Sequence, residues 1–360
     1  MTALFLDNPG RNARPEKAQR RKTIPSYNLG VVGFGNVGRA LVRLLVSKET
    51  ELRRKYDLRW RLTGVASRRI GWIANAEGLN PIAALSGHFP NFMGTARNVR
   101  EWLEHGKVDV LFEASSLNAA QGQPAIEHLA AALQYGADAI SANKGPLVHA
   151  YRELITLAKE KKRQFLFEST VMDGVPLFSL FPLGLPATEL HGFSGVLNST
   201  SNVVLTEVEK GRTFEEGVRR AQAIGVAETD PIEDLDGWDA AVKTAAIATV
   251  LMGVPTTIES VQRTGIRELS EEKIRSVRGA GMRYKLVSRV ERRGDGVDCR
   301  VAPELLLLTD PLAGLEGTSS AIRLDLDVMA FSVVEHNPGV EVTAYGLMAD
   351  FIRAAQRRTD

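Results

Sequence analysis

The chain has 360 residues, 44% hydrophobic and 24% charged, with a formal charge of +2. That length accommodates two domains with a substantial core, and so small a net charge gives no electrostatic footprint for nucleic acid. The only cysteine, Cys299, excludes an internal disulfide or a cysteine-rich metal centre, fits a reducing cytoplasm and reads as a packing residue.

Residues 1–26 form a basic tail in which Arg11, Arg14, Lys17, Arg20, Arg21 and Lys22 crowd a segment of little apolar periodicity. Leu4-Phe5-Leu6 precedes these charges and is shorter than the ~7–15 apolar residues of a signal peptide. The tail is expected to be disordered, with a transit peptide or an anionic-partner segment as alternatives. From Asn28 the pattern changes. Strands over 29–32, 60–66, 108–114 and 137–141 alternate with helices, one of them carrying Leu41, Leu44 and Leu45 on one face and others near 99–104 and 124–135. Such alternation implies parallel pairing, so 27–170 is predicted to be an α/β Rossmann domain with a doubly wound parallel sheet.

Beyond Thr170 the alternation loosens. Strands over 192–197, 284–290 and 321–327 and helices ending at Lys210 or spanning 214–224 and 239–252 predict a second, α+β domain over 171–330 that carries the substrate site. The most apolar helical stretch, 244–254, is far short of the ~20 residues a bilayer core requires, so no membrane association is expected. A last helix over 343–356 lies in a segment, 331–360, expected to return to the first domain.

Gly33-Phe34-Gly35-Asn36-Val37-Gly38 fits G-x-G-x-x-G directly after a strand and at the opening of a helix. Gly33 permits the tight turn, Gly35 lets a pyrophosphate approach the backbone, and Gly38 allows close helix–strand packing. Asn36 and Val37 complete this dinucleotide loop. The second strand ends in Ser67-Arg68-Arg69, with no carboxylate for a ribose 2′-hydroxyl. Arg68 and its neighbour are therefore read as a 2′-phosphate clamp that favours NADP over NAD, or else as solvated loop charges.

Three further stretches carry chemistry. Ser141-Ala142-Asn143-Lys144-Gly145-Pro146-Leu147 follows a parallel strand, where ligands of open α/β sheets bind, so Lys144 can reach a carbonyl or the cofactor. Gly195-Val196-Leu197-Asn198-Ser199-Thr200-Ser201-Asn202 reads as a polar wall for a small substrate, or as a turn with capping residues. The third runs from Gly225 through Glu228, Asp230, Glu233 and Asp234 to Asp239 and Lys243. Asp239 and Lys243, at i and i+4 on one helix, are close enough to pair. Their apolar flanks predict a partly buried lysine whose pKa falls toward neutrality, suited to proton transfer.

These stretches, in this order after the glycine loop, resemble the signature motifs of the homoserine dehydrogenases over about Leu29 to Phe351. The resemblance implies reversible NAD(P)H-dependent reduction of L-aspartate 4-semialdehyde to L-homoserine, on the route to threonine, isoleucine and methionine. It implies Lys243 as proton donor, Asp239 as substrate-holding carboxylate and Lys144 beside cofactor and substrate as the catalytic set. Glu228 is implied to bind the substrate ammonium, with Asp234, Asn198 and Thr200 completing the substrate wall. Ser115, Gly225 and Gly339 join the cofactor contacts. Glu168, Val171, Asp173 and Val175 resemble a backbone-carbonyl site for a monovalent cation, Na⁺ or K⁺, although Asp173 stands where the family usually has a small residue. A cytoplasmic homodimer through the second domain is implied, in the short form without a C-terminal regulatory domain. Two departures remain. Glu335-His336-Asn337-Pro338-Gly339 replaces a glycine-rich loop, and Ser320 replaces an asparagine. They leave two rivals: a related oxidoreductase of another small amino-acid aldehyde or alcohol, and a non-catalytic NADP(H)-binding regulator.

Overall fold

The computed structural model describes residues 25–89, 95–227 and 230–357. Most of the basic tail therefore lies outside the described residues, as does Glu228. The first sheet comprises β1 (Ser26–Val32), β2 (Arg59–Ser67), β3 (Gly71–Ala74), β4 (Thr95–Ala96), β5 (Val110–Glu113), β6 (Asp138–Ser141) and β7 (Phe165–Leu166). Its order is β4-β3-β2-β1-β5-β6-β7. The strands from β2 to β7 in that order are parallel, whereas β3 and β4 add antiparallel pairs at one edge. Buried on both faces, residues 29–32 of β1 and 110–112 of β5 read as short apolar runs. Gly30 and Gly64, adjacent in register, leave room for the indole of Trp102, whose Nε1 donates to the Ile73 carbonyl at 2.8 Å. Strand order reverses at β1, so the loops after β1 and β5 open the crevice in which α/β sheets bind ligands.

The second sheet comprises β8 (Leu190–Val196), β9 (Gln262–Arg263), β10 (Met282–Arg293), β11 (Gly296–Leu307), β12 (Ser320–Leu326) and β13 (Ala330–Glu335). Its order is β13-β12-β8-β10-β11-β9, antiparallel except for β11 with β9. The helices Ser199–Glu209 and Trp238–Leu251 pack against it. The second is apolar almost all round, and Ala240, Ala241, Ala245, Ala246 and Ala248 let it sit close to its neighbours. Cys299 is buried in this sheet, and burial pushes its thiol up to about 11, which suits a packing residue.

The helix Val340–Arg357 leaves the second sheet and packs on the Asn36–Lys55 helix of the first domain. Phe351 lies edge-on to Tyr27 and Phe112, at 5.6 and 6.2 Å between ring centres. An expected domain boundary at 330 instead falls within the β12–β13 hairpin, because β13 completes the second sheet; the returning element begins at Val340. Neither β11 nor β13 was among the elements expected from the sequence.

Candidate active site

The glycine loop is built for close approach. Gly33 adopts φ +90°, and a Cβ there would overlap the Ala114 backbone carbonyl. A Cβ on Gly38 would come within 2.5 Å of the Gly33 carbonyl oxygen, so the helix start and the turn need both glycines. Gly35 faces open space, with nothing within 4 Å of its Cβ position. The Asn36–Lys55 helix begins with no side-chain cap and no acidic residue in its first turn. Its free N–H groups and dipole are therefore available to an anion. Arg68 and Arg69 are exposed just past β2, and neither has a hydrogen-bond or ion-pair partner among the described residues. The donor set fits a dinucleotide phosphate.

Across the crevice, the Ser115 hydroxyl donates to Glu113, a fully buried carboxylate at the end of β5, and His128 Nδ1 lies 3.4 Å from the same oxygen. Sequence reasoning passed over Glu113; the signal was a lone acid closing an apolar strand. The Asn143 side chain ties the β6 exit to the β5 exit. Its Nδ2 donates to the Ser115 and Ser116 carbonyls at 3.2 and 3.3 Å, and its Oδ1 accepts from the Gly145 amide at 3.0 Å. Lys144 is thereby aimed out of the first domain.

The second domain meets it from below. Asn198, just after β8, caps the Ser199–Glu209 helix by accepting from the Ser201 amide at 2.8 Å. Its Nδ2 donates to Asp234 at 2.6 Å and to Asp239 at 3.0 Å. Asp239, in the first turn of Trp238–Leu251, takes Lys144 at 3.2 Å and Lys243 at 3.4 Å. Lys243 also donates to the Leu197 carbonyl at 2.7 Å. The capping and substrate-wall readings of Asn198 are thus compatible, since one oxygen caps the helix and the amide nitrogen orders the acids.

Electrostatics differ from the sequence expectation at Lys243. Burial alone would lower its pKa, but the charges of Asp239, Asp173 and Asp234 outweigh it and hold the ammonium above the ordinary lysine value. The expected drop toward neutrality is therefore corrected: three carboxylates from separate segments surround the group. Burial opposes ionisation of Asp239, yet Lys144, Lys243 and Asn198 hold it below the usual carboxylate range. Asp234 goes the other way, raised by burial and by the neighbouring Asp239 charge. The two adjacent acids are thus pushed apart, Asp239 toward the ionised form and Asp234 toward a weaker acid.

Two cavities open around this cluster. One of about 840 Å³ is lined by Asn36, Asn198, Thr200, Gly225, Asp234, Asp239 and Gly339. The other, about 200 Å³, is lined by Val37, Ser115, Lys144 and Val171. Asp173, Lys243 and Thr343 border both. Thr200 also donates to the Val226 carbonyl at 3.0 Å.

The segment expected to hold a cation is arranged differently from the rest. The Glu168 carboxylate accepts from the Phe178 and Ser179 amides at 2.6 and 3.0 Å and pairs with Arg353 at 2.8 Å, which leaves only its backbone carbonyl for an ion. The Val175 carbonyl accepts from the Leu177 amide at 2.7 Å. Among the described residues, no group of three or more His, Cys, Asp or Glu side chains could hold a metal ion. No helix among them is long and apolar enough to cross a membrane.

Residues 176–352 match the family model described as homoserine dehydrogenase, and residues 33–168 match the model for the homoserine dehydrogenase NAD binding domain. The chain is 32% identical to an NAD(+)-dependent homoserine dehydrogenase of Pseudomonas canavaninivorans, over 92% of this chain and 97% of that protein. It resembles the crystal structure of a homoserine dehydrogenase from Thiobacillus denitrificans, with TM-score 0.79 and 27% identity, over 93% of this chain and 74% of that one. A hyperthermophilic archaeal homoserine dehydrogenase in complex with NADPH matches with TM-score 0.77 and 27% identity, covering 92% of this chain and 98% of that one.

Proposed function

The chain belongs to the homoserine dehydrogenase family, and on that premise we propose that it interconverts L-aspartate 4-semialdehyde and L-homoserine as an NAD(P)-dependent oxidoreductase of threonine, methionine and isoleucine synthesis. The observation that carries this reading is one carboxylate, Asp239, shared by Lys144 of the first domain and Lys243 of the second. The nicotinamide dinucleotide, when bound, supplies or takes the hydride. Gly33 and Gly38 set the turn and the close packing of the loop, the open backbone at Gly35 would receive the pyrophosphate, and Val37 and Ser115 border the adjoining cavity.

The remaining chemistry belongs to side chains. Hydride addition leaves alkoxide character on the former aldehyde oxygen, which needs a proton and a nearby positive charge. Lys243, held protonated by its acidic surroundings, donates that proton in the reducing direction. Lys144 contributes a second positive charge. Asp239 fixes both ammonium groups, and Asn198 holds Asp239 and Asp234 in register. Asp234, together with Glu228, receives the substrate ammonium, and Thr200 closes the wall.

NADP is the favoured cofactor because two unpartnered guanidinium groups follow β2, as NADPH binding in the archaeal neighbour also suggests. The NAD(+)-dependent relative favours NAD. A monovalent cation would be held by backbone carbonyls of Glu168, Val171 and Asp173. A cytoplasmic homodimer through the second sheet agrees with the exposed Leu305 and Leu307 on β11 and with Val334 on β13.

The deciding measurement is the reduction of NADP⁺ and NAD⁺ with L-homoserine at alkaline pH, for wild type and Lys243→Ala. Turnover that falls roughly 10²–10⁴-fold in the variant is expected, with the larger kcat/KM on NADP⁺. Tight NADPH binding without homoserine turnover would redirect the search to related amino-acid aldehydes, a reading that the Ser320 and Glu335 departures support.

A further inference from the structure

Glu113 is a costly group to bury. It closes β5 near the centre of the first sheet, in register with Val32 and Ser141, and its side chain is fully shielded from solvent. A buried polar group without partners costs free energy, and Glu113 is only half satisfied. Its Oε2 has no hydrogen-bond partner, whereas three groups converge on Oε1. The Ser115 amide donates to that oxygen at 3.3 Å, the Ser115 hydroxyl donates to it as well, and His128 Nδ1 lies 3.4 Å away. His128 is itself set by Trp72, whose ring stands edge-on to it at 5.4 Å. The acid is thus turned toward one neighbour, two residues along the chain.

Ser115 is held on several sides. Its carbonyl accepts from Asn143 Nδ2 at 3.2 Å, and its amide nitrogen abuts Gly33, where a Cβ would overlap it. The backbone is therefore fixed, and the hydroxyl proton is committed to Glu113. A hydroxyl carries one donor and two acceptor lone pairs, so only acceptors remain. Ser115 borders the cavity of about 200 Å³ that Val37, Lys144 and Lys243 also line. In the proposed reaction hydride passes beside those lysines, so the nicotinamide end of the cofactor enters this cavity. Two kinds of donor come with it. Ribose hydroxyls both donate and accept, so a serine of fixed polarity brings them no advantage. The carboxamide has a pure donor at one end and a pure acceptor at the other, and a fixed acceptor distinguishes the two.

We propose that Glu113 is a positioning residue that acts through Ser115: by holding the hydroxyl proton it presents the oxygen as a fixed acceptor for the carboxamide N–H of the nicotinamide. This role rests on the cofactor reading given above and deepens it, since it names the residue that sets the polarity of the contact.

The test is cofactor binding, read by calorimetry without turnover. NADP⁺ is compared with its 3-acetylpyridine analogue, in which a methyl group replaces the carboxamide amino group. Both are titrated into wild type, Ser115→Ala, Glu113→Met and Glu113→Gln, with melting curves to verify folding. The quantity read is the ratio of the two dissociation constants within each protein. Wild type should prefer NADP⁺ by about three- to tenfold, the worth of one hydrogen bond. Ser115→Ala and Glu113→Met should bring the ratio toward unity, because the hydroxyl is absent in the first and free to rotate in the second. Glu113→Gln should keep the wild-type preference, because the Ser115 amide holds the glutamine oxygen toward it. A merely structural role for Glu113 would weaken both dinucleotides alike in Glu113→Met and leave the ratio at its wild-type value, which would overturn the proposal. Equal losses for the two dinucleotides in Ser115→Ala would give the contact to the ribose and overturn it as well. If Glu113→Met fails to fold, the opposite expectations for Ser115→Ala and Glu113→Gln still decide. A preference that depends on Glu113 in a protein that never oxidises homoserine would uphold this role and sink the substrate assignment. Failure of either dinucleotide to bind would sink the cofactor reading and this role with it.

Discussion

Asp239 holds two ammonium groups on one carboxylate, with Lys144 at 3.2 Å and Lys243 at 3.4 Å. Exposed ion pairs contribute little, but all three side chains here are less than one-fifth exposed, and the Lys144 pair joins the two domains. Asp239→Asn preserves shape and leaves Asn198 a partner, yet it places two like charges together with no shared anion. Loss of kcat/KM for homoserine by about 10²-fold or more is expected, together with a lower melting temperature because two buried ammonium groups lose their shared anion. Steady-state kinetics beside a melting curve would check this. Wild-type kcat/KM in the variant would remove Asp239 from the proton-transfer machinery.

The glycine loop separates folding from binding within one element. Gly33→Ala would force a Cβ into the Ala114 carbonyl at φ +90°, so it should lower both melting temperature and dinucleotide affinity. Gly35→Ala meets nothing within 4 Å, so the ligand-free protein should melt as wild type does while NADP(H) binding weakens at least tenfold, about 1.4 kcal/mol. Calorimetric melting and cofactor titration distinguish the two; a Gly35→Ala protein that binds normally would mean that no phosphate approaches there. This loop was legible in the sequence because its chemistry is local, a strand, a turn and a helix within a few residues. The parallel strands were legible for a similar reason, since burial on both faces gives apolar runs. By contrast, β11 carries Pro303 amid charged Asp298, Arg300 and Glu304, and its strand character comes from pairing with β10 from Gly296 to Leu307. β13 is mostly half-exposed and ends in a buried Glu335. The grouping of Lys144, Asp239 and Lys243 could be anticipated from motifs, but the charge state of Lys243 could not. It depends on Asp173 and Asp234, which are brought to it by other elements.

At the scale of the whole molecule, the Val340–Arg357 helix ties the two domains together. Its first turns hold Asp173 beside the site, and its Phe351 packs into the first domain. Between them, Asp350 accepts from the Glu168 amide at 2.9 Å, and Arg353 pairs with both Asp350 and Glu168. The Glu168 carboxylate in turn caps the Leu177–Gly184 helix through the Phe178 and Ser179 amides, so one guanidinium neutralises two buried acids where the domains join. Arg353→Met should cost about 3–5 kcal/mol, because both carboxylates stay buried without their cation. The loss should also depend on pH. Burial already pushes Asp350 up to about 7, with Arg353 pulling against it. A carboxyl group whose folded pKa exceeds its unfolded value binds more protons when folded, so its contribution to stability declines as pH rises from the unfolded pKa to the folded one. Without Arg353 the folded value rises further, which widens and deepens that window. The melting-temperature deficit of Arg353→Met relative to wild type should therefore be larger near pH 8 than near pH 5. Equal deficits at the two pH values would mean that the carboxyl groups titrate in the variant as they do in wild type, and that the helix is held to the domain junction by its apolar contacts alone.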